Sequence, residues 1–280
     1  MTVKIVTDSL GDIPSDVAEE LGITVIPINV LFGTINYRDG VDLTTDQFYD
    51  KLEASKIFPT TIVPPLGRFA DTYDKVAEET DQIAVITNSH KLSASYETAV
   101  LAKERMKRRC RVEVIDSLSA ILAQGLIVIA AAKAARDGAG LDKVLELVSE
   151  NIPRADVRMA FDTLEYLRRG GRIGKAQAFL GTMLKVSPIL GIKDGEAFPF
   201  VREHSRARAI DHLYEFATGF SHVEEMGVEH ATTPDEAEAL IRRLKAKFPK
   251  TRIYLSRVSP VIGAHVGPRV LGVAVLGDRG

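Results

Sequence analysis

The chain contains 280 residues, 45% of them hydrophobic and 26% charged, an ordinary globular composition that excludes disordered, collagen-like and coiled-coil proteins. The 36 basic and 38 acidic residues give a formal net charge of −2, so no overall field attracts nucleic acid or an anionic membrane. Cys110 is the only cysteine, so no disulfide forms within the chain, as is typical of a reducing cytoplasm. At roughly 150 residues per domain, the length predicts two domains.

The most apolar segment of the chain spans residues 118–135. Four polar or flexible residues interrupt it: Ser119, Gln124, Gly125 and Lys133. Because polar groups at this density are costly in hydrocarbon, the segment predicts a buried helix and not a membrane span. The N-terminal residues also lack the apolar region of a signal peptide. We therefore expect a cytoplasmic protein without stable membrane insertion.

Strand-like and helical patterns alternate in the first half of the chain. Apolar, β-branched runs predict strands at residues 3–7, 24–30, 83–87 and 112–115. One helical pattern starts at Pro14 and Ser15, and others follow at residues 46–54, 67–77, 93–108, 120–136 and 141–150. This alternation predicts an α/β domain with a mostly parallel sheet that helices cover on both faces.

The pattern becomes less regular after Asn151-Ile152-Pro153, as expected for an α+β domain. Strands are predicted at residues 157–161, 189–192, 197–201, 222–229, 251–255 and 270–276, and helices begin at Ser205 and Pro234. We place the domain boundary so that residues 1–155 form the N-terminal α/β domain and residues 156–280 the C-terminal domain.

Polar residues follow three of the predicted strands: Asp8-Ser9, Asn88-Ser89 and Asp116-Ser117. The carboxyl ends of parallel strands lie along one sheet edge, where open α/β sheets bind ligands. Asp, Asn and Ser are also good helix caps, which explains any one of these turns without a ligand. The presence of three such turns at one sheet edge favours a binding site.

Five further positions carry candidate binding groups: Ser93, Thr60, Thr61, Arg172 and His265. Ser93 stands at a predicted helix start, where free N–H groups can hold a carboxylate or phosphate, although Ser93 could equally only cap its helix. Thr60 and Thr61 lie between Pro59 and Pro64, a rigid setting for two hydroxyls but also a common packing loop.

Residues 167–175 form a glycine- and arginine-rich cluster in which Arg172 could donate to a carboxylate or phosphate. A helix end with solvated cations is the alternative interpretation. His265 lies among small residues, so it is either a ligand-facing imidazole or a structural one. The six histidines show no metal-binding spacing, and no phosphate-binding loop or nucleophile elbow is present.

Six motifs, in this order and spacing, resemble those of the DegV family over essentially the whole chain. They are Thr7-Asp8-Ser9, Pro59-Thr60-Thr61, Leu92-Ser93-Ala94-Ser95-Tyr96, Ile115-Asp116-Ser117, Arg169-Gly170-Gly171-Arg172-Ile173 and Gly263-Ala264-His265-Val266-Gly267-Pro268. The family is known as bacterial fatty-acid-binding proteins, some of which are binding subunits of a fatty acid kinase.

The resemblance implies a two-domain DegV-like fold with a long-chain fatty acid between the domains and no other cofactor. The carboxylate would be held by Ser93 and Thr61, near Arg172 and His265, and presented to the catalytic subunit of a fatty acid kinase. The expected ligand-binding residues are Asp8, Ser9, Thr60, Thr61, Leu92, Ser93, Ala94, Gly171, Arg172 and His265. No catalytic residue and no metal ligand is expected.

The chain departs from the family pattern at three places. Ile62, Val63 and Pro65 replace polar residues after Thr61. Ala94 and Arg269 each replace a glycine of the family motif. Because the hydroxyls at positions 61 and 93 are kept, the resemblance implies head-group binding more strongly than kinase docking.

Two alternatives stay open from sequence. One is a phosphotransferase or hydrolase of a small anionic substrate that uses His265 with Asp8 or Asp116, because parallel α/β sheets carry many such activities. The other is a lipid-responsive regulator without a kinase partner. We expect a monomer because no long apolar surface stripe stands out.

Overall fold

The computed structural model describes residues 2–180 and 186–280. The elements of the first half, in chain order, are β1 (Lys4–Asp8), α1 (Ser15–Leu21), β2 (Thr24–Ile26), β3 (Asn29–Phe32), β4 (Ile35–Arg38), α2 (Thr45–Ala54), β5 (Thr60–Ile62), α3 (Leu66–Val76), β6 (Gln82–Thr87), α4 (Ser95–Ala102), β7 (Arg111–Asp116), α5 (Ile121–Arg136) and α6 (Leu141–Asn151).

The second half continues with β8 (Ala155–Ala160), α7 (Glu165–Arg169), β9 (Ser187–Lys193), β10 (Glu196–Glu203), α8 (Arg206–Thr218), β11 (Phe220–His230), α9 (Pro234–Lys247), β12 (Ile253–Arg257), α10 (Pro260–Val266) and β13 (Leu271–Arg279). None of the helices in the two described ranges combines the length and the apolar character that a bilayer crossing requires.

Strands β2, β1, β6 and β7 form a parallel sheet in that order, which confirms the predicted α/β class. Apolar side chains of α3 and α4, including Phe69 and Ala99, pack with Val6 and Val85 on one face. All four strands end at the same edge, so Asp8 and Asn88 come close to each other there. This edge faces the site described below.

The strand predicted at residues 24–30 is wrong as a single element. Pro27, which has no N–H to continue a strand ladder, separates β2 from β3. Strand β3 leaves the parallel sheet and pairs antiparallel with β4 and β5 in a small separate sheet. The segment around Thr60 and Thr61, predicted as a loop, is strand β5 of this small sheet.

The helix predicted at residues 93–108 is also shorter than expected. It begins at Ser95, and the side chain of Ser93 accepts a hydrogen bond from the Ser95 N–H over 3.2 Å. At the other end, the Lys107 and Arg108 N–H groups donate to the carboxylate of Asp74, each over 2.9 Å. These side-chain acceptors take the place of helical carbonyls, so the helix cannot extend further.

The second large sheet has the order β10-β9-β8-β13-β11-β12 and is antiparallel except between β11 and β12. Helices α8 and α9 cover one face. Helix α5 covers the other face and also packs against β1 of the parallel sheet. It is therefore the buried helix predicted from residues 118–135, enclosed between the two large sheets. The domain boundary at residue 155 stays a prediction.

Candidate functional site

An apolar cavity lies between the first and second halves of the chain. It encloses about 850 Å³ of empty space, the open mouth included. Its apolar lining comes from both halves: Leu10, Ile28, Val63, Leu92, Ala120 and Ile121, and Met159, Phe161, Leu167, Leu190, Gly191, Ile192, Ala197, Val261, Ile262 and Val266. A cavity of this composition fits a ligand that is mostly hydrocarbon.

Five polar residues complete the lining: Thr61, Asn88, Ser93, Arg172 and His265. Side chains alternate between the faces of a strand, so the pairing of β5 with β3 turns Thr61 inward and leaves Thr60 exposed. The structure thus shows which of the two adjacent hydroxyls faces the cavity, a choice that the sequence alone left open.

Thr61 and His265 contact each other across the cavity wall. The Thr61 Oγ1 and His265 Nε2 atoms are 2.8 Å apart, and His265 projects from α10, whose first turn Ser259 caps. Burial lowers the pKa of His265 to about 4, and the nearby charge of Arg172 adds to this effect. The imidazole is therefore neutral at neutral pH and carries one N–H. With that proton on Nε2, the imidazole donates to Thr61 and leaves the threonine hydrogen free for an anion.

Gly170, just after α7, leaves room for this imidazole because it has no side chain. A Cβ atom at Gly170 would lie 2.2 Å from His265 Nδ1, far inside any real contact. The glycine-rich cluster therefore allows the backbone to approach the imidazole closely at this residue.

Arg172 connects the two halves of the chain beside the cavity. Its Nε donates to the carbonyl of Leu92 over 3.0 Å, and its Nη1 donates to the carbonyl of Gly170 over 2.8 Å. Within residues 2–180 and 186–280, no carboxylate forms a salt bridge with Arg172. A partly buried guanidinium without a counter-ion favours the binding of an anion next to it.

Ser93 lines the cavity just before α4 begins. Its Oγ lies 2.9 Å from the Ser95 Oγ and accepts from the Ser95 N–H. The serine therefore both caps its helix and faces the cavity, so the two interpretations from sequence are compatible. Of the ten predicted ligand-binding residues, those that line the cavity are Thr61, Leu92, Ser93, Arg172 and His265.

The other five predicted residues do not line the cavity: Asp8, Ser9, Thr60, Ala94 and Gly171. Asp8 is buried and accepts from the Gln124 side chain and from the N–H groups of Leu10 and Asn88. Burial raises the pKa of Asp8, although these bonds oppose the effect. Asp8 therefore holds the strand ends together behind the cavity.

Ser9 donates to Asp39 over 2.7 Å and accepts from the N–H of Ile28 over 3.1 Å. Its hydroxyl is thus fully engaged within the protein. Gly171 adopts a φ of 69°, in the left-handed region that favours glycine, and shapes the turn that leads into Arg172.

The histidine–carboxylate pair that an enzyme would need is not formed by His265. Asp116 bonds instead to His90 and to the N–H of Leu118, while Asp8 has the partners given above. Among the residues that the structure describes, no group of three or more His, Cys, Asp or Glu side chains could hold a metal ion.

Asn88 also lines the cavity, although it is not among the ten expected ligand-binding residues. It follows a buried strand at the sheet edge, and that placement was the available signal. The apolar lining was also not predicted, because no local pattern distinguishes a cavity wall from packed core.

The amino-acid sequence matches a family model described as "Uncharacterised protein, DegV family" over residues 2–278. A DegV domain-containing protein of Streptomyces coelicolor is 35% identical over 278 residues, which cover 98% of each chain. Protein DegV of Bacillus subtilis is 32% identical over 277 residues, again with 98% of each chain covered.

Solved structures also match over almost the whole chain. A DegV family protein from Thermus thermophilus, described by its fatty acid binding, has a TM-score of 0.90 at 31% identity and covers 99% of this chain and 100% of its own. DegV from Bacillus subtilis, described as a fatty acid binding protein, has a TM-score of 0.89 at 31% identity and 99% coverage of both chains. The predicted fold is confirmed.

Proposed function

The chain belongs to the DegV family, and on that premise we propose that it binds a long-chain fatty acid between its two halves. The observation that carries this proposal is the cavity itself, whose lining is apolar except for five polar residues. One of them is Arg172, which donates to two carbonyls and has no carboxylate counter-ion among the residues that the structure describes. The fatty acid binding described for the proteins from Thermus thermophilus and Bacillus subtilis supports it.

The carboxylate is held by Thr61 and Ser93 at the polar end of the cavity. An ionised carboxylate enters a protein interior only where strong donors replace its water, and two hydroxyls beside Arg172 supply such donors. The acyl chain contributes about 0.8 kcal/mol for each buried CH₂ group. Long chains therefore bind tightly and short ones weakly.

The protein acts as a carrier, with no catalysis of its own. It presents the carboxylate to the catalytic subunit of a fatty acid kinase, which transfers the γ-phosphoryl group of ATP to a carboxylate oxygen to form an acyl phosphate and ADP. Cytoplasmic location belongs to the same proposal, in line with the single cysteine. So does a monomeric state, since no long apolar surface stripe stands out in the sequence.

Mass spectrometry of lipid extracted from the purified protein tests the binding proposal. We expect a long-chain fatty acid, whereas recovery of nucleotides or polar metabolites alone would contradict it. The delipidated protein is then titrated with hexadecanoate. Ser93→Ala removes a charge-assisted donor and is expected to cost about 1.5–3 kcal/mol of binding free energy. Ser149→Ala, an exposed serine on α6, serves as the control and keeps wild-type affinity.

The kinase step has its own test. The loaded protein is mixed with ATP and a fatty acid kinase catalytic subunit, and acyl phosphate is measured. Product is expected only when both proteins are present. Phosphate release by this protein alone would favour the phosphotransferase or hydrolase alternative instead.

A further inference from the structure

We propose that Asn88 is a further head-group residue, whose side-chain amide donates to the ligand's ionised carboxylate and makes the site select the acid over its neutral derivatives. This inference rests on the proposed function, since it concerns the same cavity and ligand. The family resemblance did not point to this residue, because none of the motifs quoted for it includes position 88.

The main chain of Asn88 is held firmly at the sheet edge. Its N–H donates to Asp8 Oδ2 over 3.0 Å, and Asp8 Oδ1 accepts from Gln124 over 2.9 Å. The preceding residue, Thr87, pairs in register with Asp116 of β7. The side chain therefore leaves a fixed point at the end of β6. It is 1% exposed and lines the same cavity as Ser93 and Thr61.

The amide of Asn88 has no partner within the protein. Its Oδ1 is buried without a hydrogen bond, and no acceptor in the described parts of the chain takes a bond from its Nδ2. Burial of an amide without hydrogen bonds destabilises the folded protein. Such a group facing a cavity is a natural contact for a ligand, and an amide nitrogen offers two N–H donors.

The other polar groups of the cavity explain why the ligand atom should be a carboxylate oxygen. Ser93 and Arg172 are donors, and with the single imidazole proton of His265 on Nε2 the Thr61 hydroxyl is free to donate as well. An ionised carboxylate only accepts, so the amide of Asn88 adds one more donor to a set that already matches it. Hydrogen bonds to a charged acceptor are roughly twice as strong as those to a neutral one, which gives the preference for the acid over an ester.

Two nearly isosteric substitutions test this role. Delipidated wild-type, Asn88→Leu and Asn88→Asp proteins are titrated with hexadecanoate and with its neutral methyl ester. Asn88→Leu is expected to weaken acid binding about tenfold or more, because one charge-assisted donor is lost, and to leave ester binding unchanged. Asn88→Asp places a like charge at the head group, so it weakens acid binding further, and the affinity recovers as the pH is lowered.

The matched control is Asn36, an exposed asparagine on β4. Asn36→Leu and Asn36→Asp are expected to keep wild-type affinity for both ligands. Thermal unfolding of each variant establishes that it is folded before it is titrated.

Three results would overturn the inference. Unchanged affinities for both the acid and the ester in Asn88→Leu would show that the amide does not donate to the ligand. Equal loss of acid and ester binding would show a purely structural role. A wild-type protein that binds neither ligand would overturn the proposed function itself, and this inference with it.

Discussion

His265 shows at the scale of one residue how burial sets the charge of the site. Burial and the charge of Arg172 lower its pKa to about 4, and burial lowers the pKa of His230 to about 4 as well. Between about pH 6.5 and pH 4 the unfolded chain binds protons at these positions and the folded chain does not. The free energy of unfolding therefore falls as the pH is lowered through this range.

Replacement of His265 by glutamine tests this linkage. His265→Gln removes the titrating group and keeps a donor near the Nε2 position, so the loss of stability between pH 6.5 and pH 4 should be smaller than in the wild type. Urea unfolding at several pH values measures it. The exposed His222→Gln variant is the control, with the wild-type slope. An identical slope in His265→Gln would show that the imidazole is not buried in solution.

At the scale of elements, the β9–β10 hairpin forms part of the cavity wall. Its strands supply Leu190, Ile192 and Ala197 to the cavity wall. Its turn reaches the first half, where the Ser89 hydroxyl donates to the carbonyl of Gly195 over 2.7 Å. Gly195 has a φ of 80°, and a Cβ there would lie 2.5 Å from the Ser89 Oγ. The turn is therefore seated tightly against the loop that leads to Ser93.

Gly195→Ala is expected to lift this hairpin and to speed the dissociation of a bound fatty acid. The backbone strain and the clash together should cost about 1–3 kcal/mol of stability. Gly22→Ala is a close control, because Gly22 has a φ of 63° but nothing within 4 Å of the added Cβ. The Gly22→Ala variant has the same backbone strain without the clash, so it should leave the dissociation rate of the fatty acid unchanged. Equal dissociation rates in both variants would show that the hairpin does not hold the ligand.

At this same scale the sequence predicts some elements well and others not. Strands β1, β6 and β7 are short runs rich in valine and isoleucine, so their pattern alone locates them. The polar residues at their carboxyl ends locate the sheet edge. Strand β5 has three residues, too few to show a period. Its pairing with β3 decides that Thr61 and not Thr60 faces the cavity.

The rest of the site depends on contacts between distant residues. Motifs identify Ser93 and Arg172, but only the folded chain shows that Arg172 has carbonyl partners and no carboxylate. Likewise, the unpartnered amide of Asn88 is a property of its surroundings. Local sequence carries no signal for such an absence of partners.

The whole molecule is held together across helix α5, and three buried carboxyl groups lie in that region. Asp12 and Asp39 belong to the first half, and Glu229 belongs to β11 of the second. Burial raises the pKa of Asp39 to about 7 and of Glu229 to about 8. It raises the pKa of Asp12 as well, with repulsion from Glu229 and Asp39 adding to the effect. Burial therefore favours the protonated form of all three carboxyl groups in the folded protein.

This cluster predicts a loss of stability toward alkaline pH. As the pH rises from about 4.5 to about 8, Glu229 ionises in the unfolded chain but stays protonated in the folded one, so the free energy of unfolding decreases. Glu229→Gln keeps an acceptor for the N–H of Leu122 and removes the proton. The variant should therefore be more stable than the wild type at pH 8, by urea unfolding. The exposed Glu53→Gln variant is the control and should show no such gain. A Glu229→Gln variant that is less stable than the wild type at pH 8 would contradict the raised pKa of Glu229.

A crystal structure of the protein with hexadecanoate is the most direct measurement of how the ligand is held. The carboxylate is expected within hydrogen-bonding distance of the Thr61 and Ser93 hydroxyls, with the acyl chain running between Ile121 and Phe161. Electron density for the carboxylate at another surface, or a cavity that stays free of the acyl chain at saturating ligand, would contradict the account.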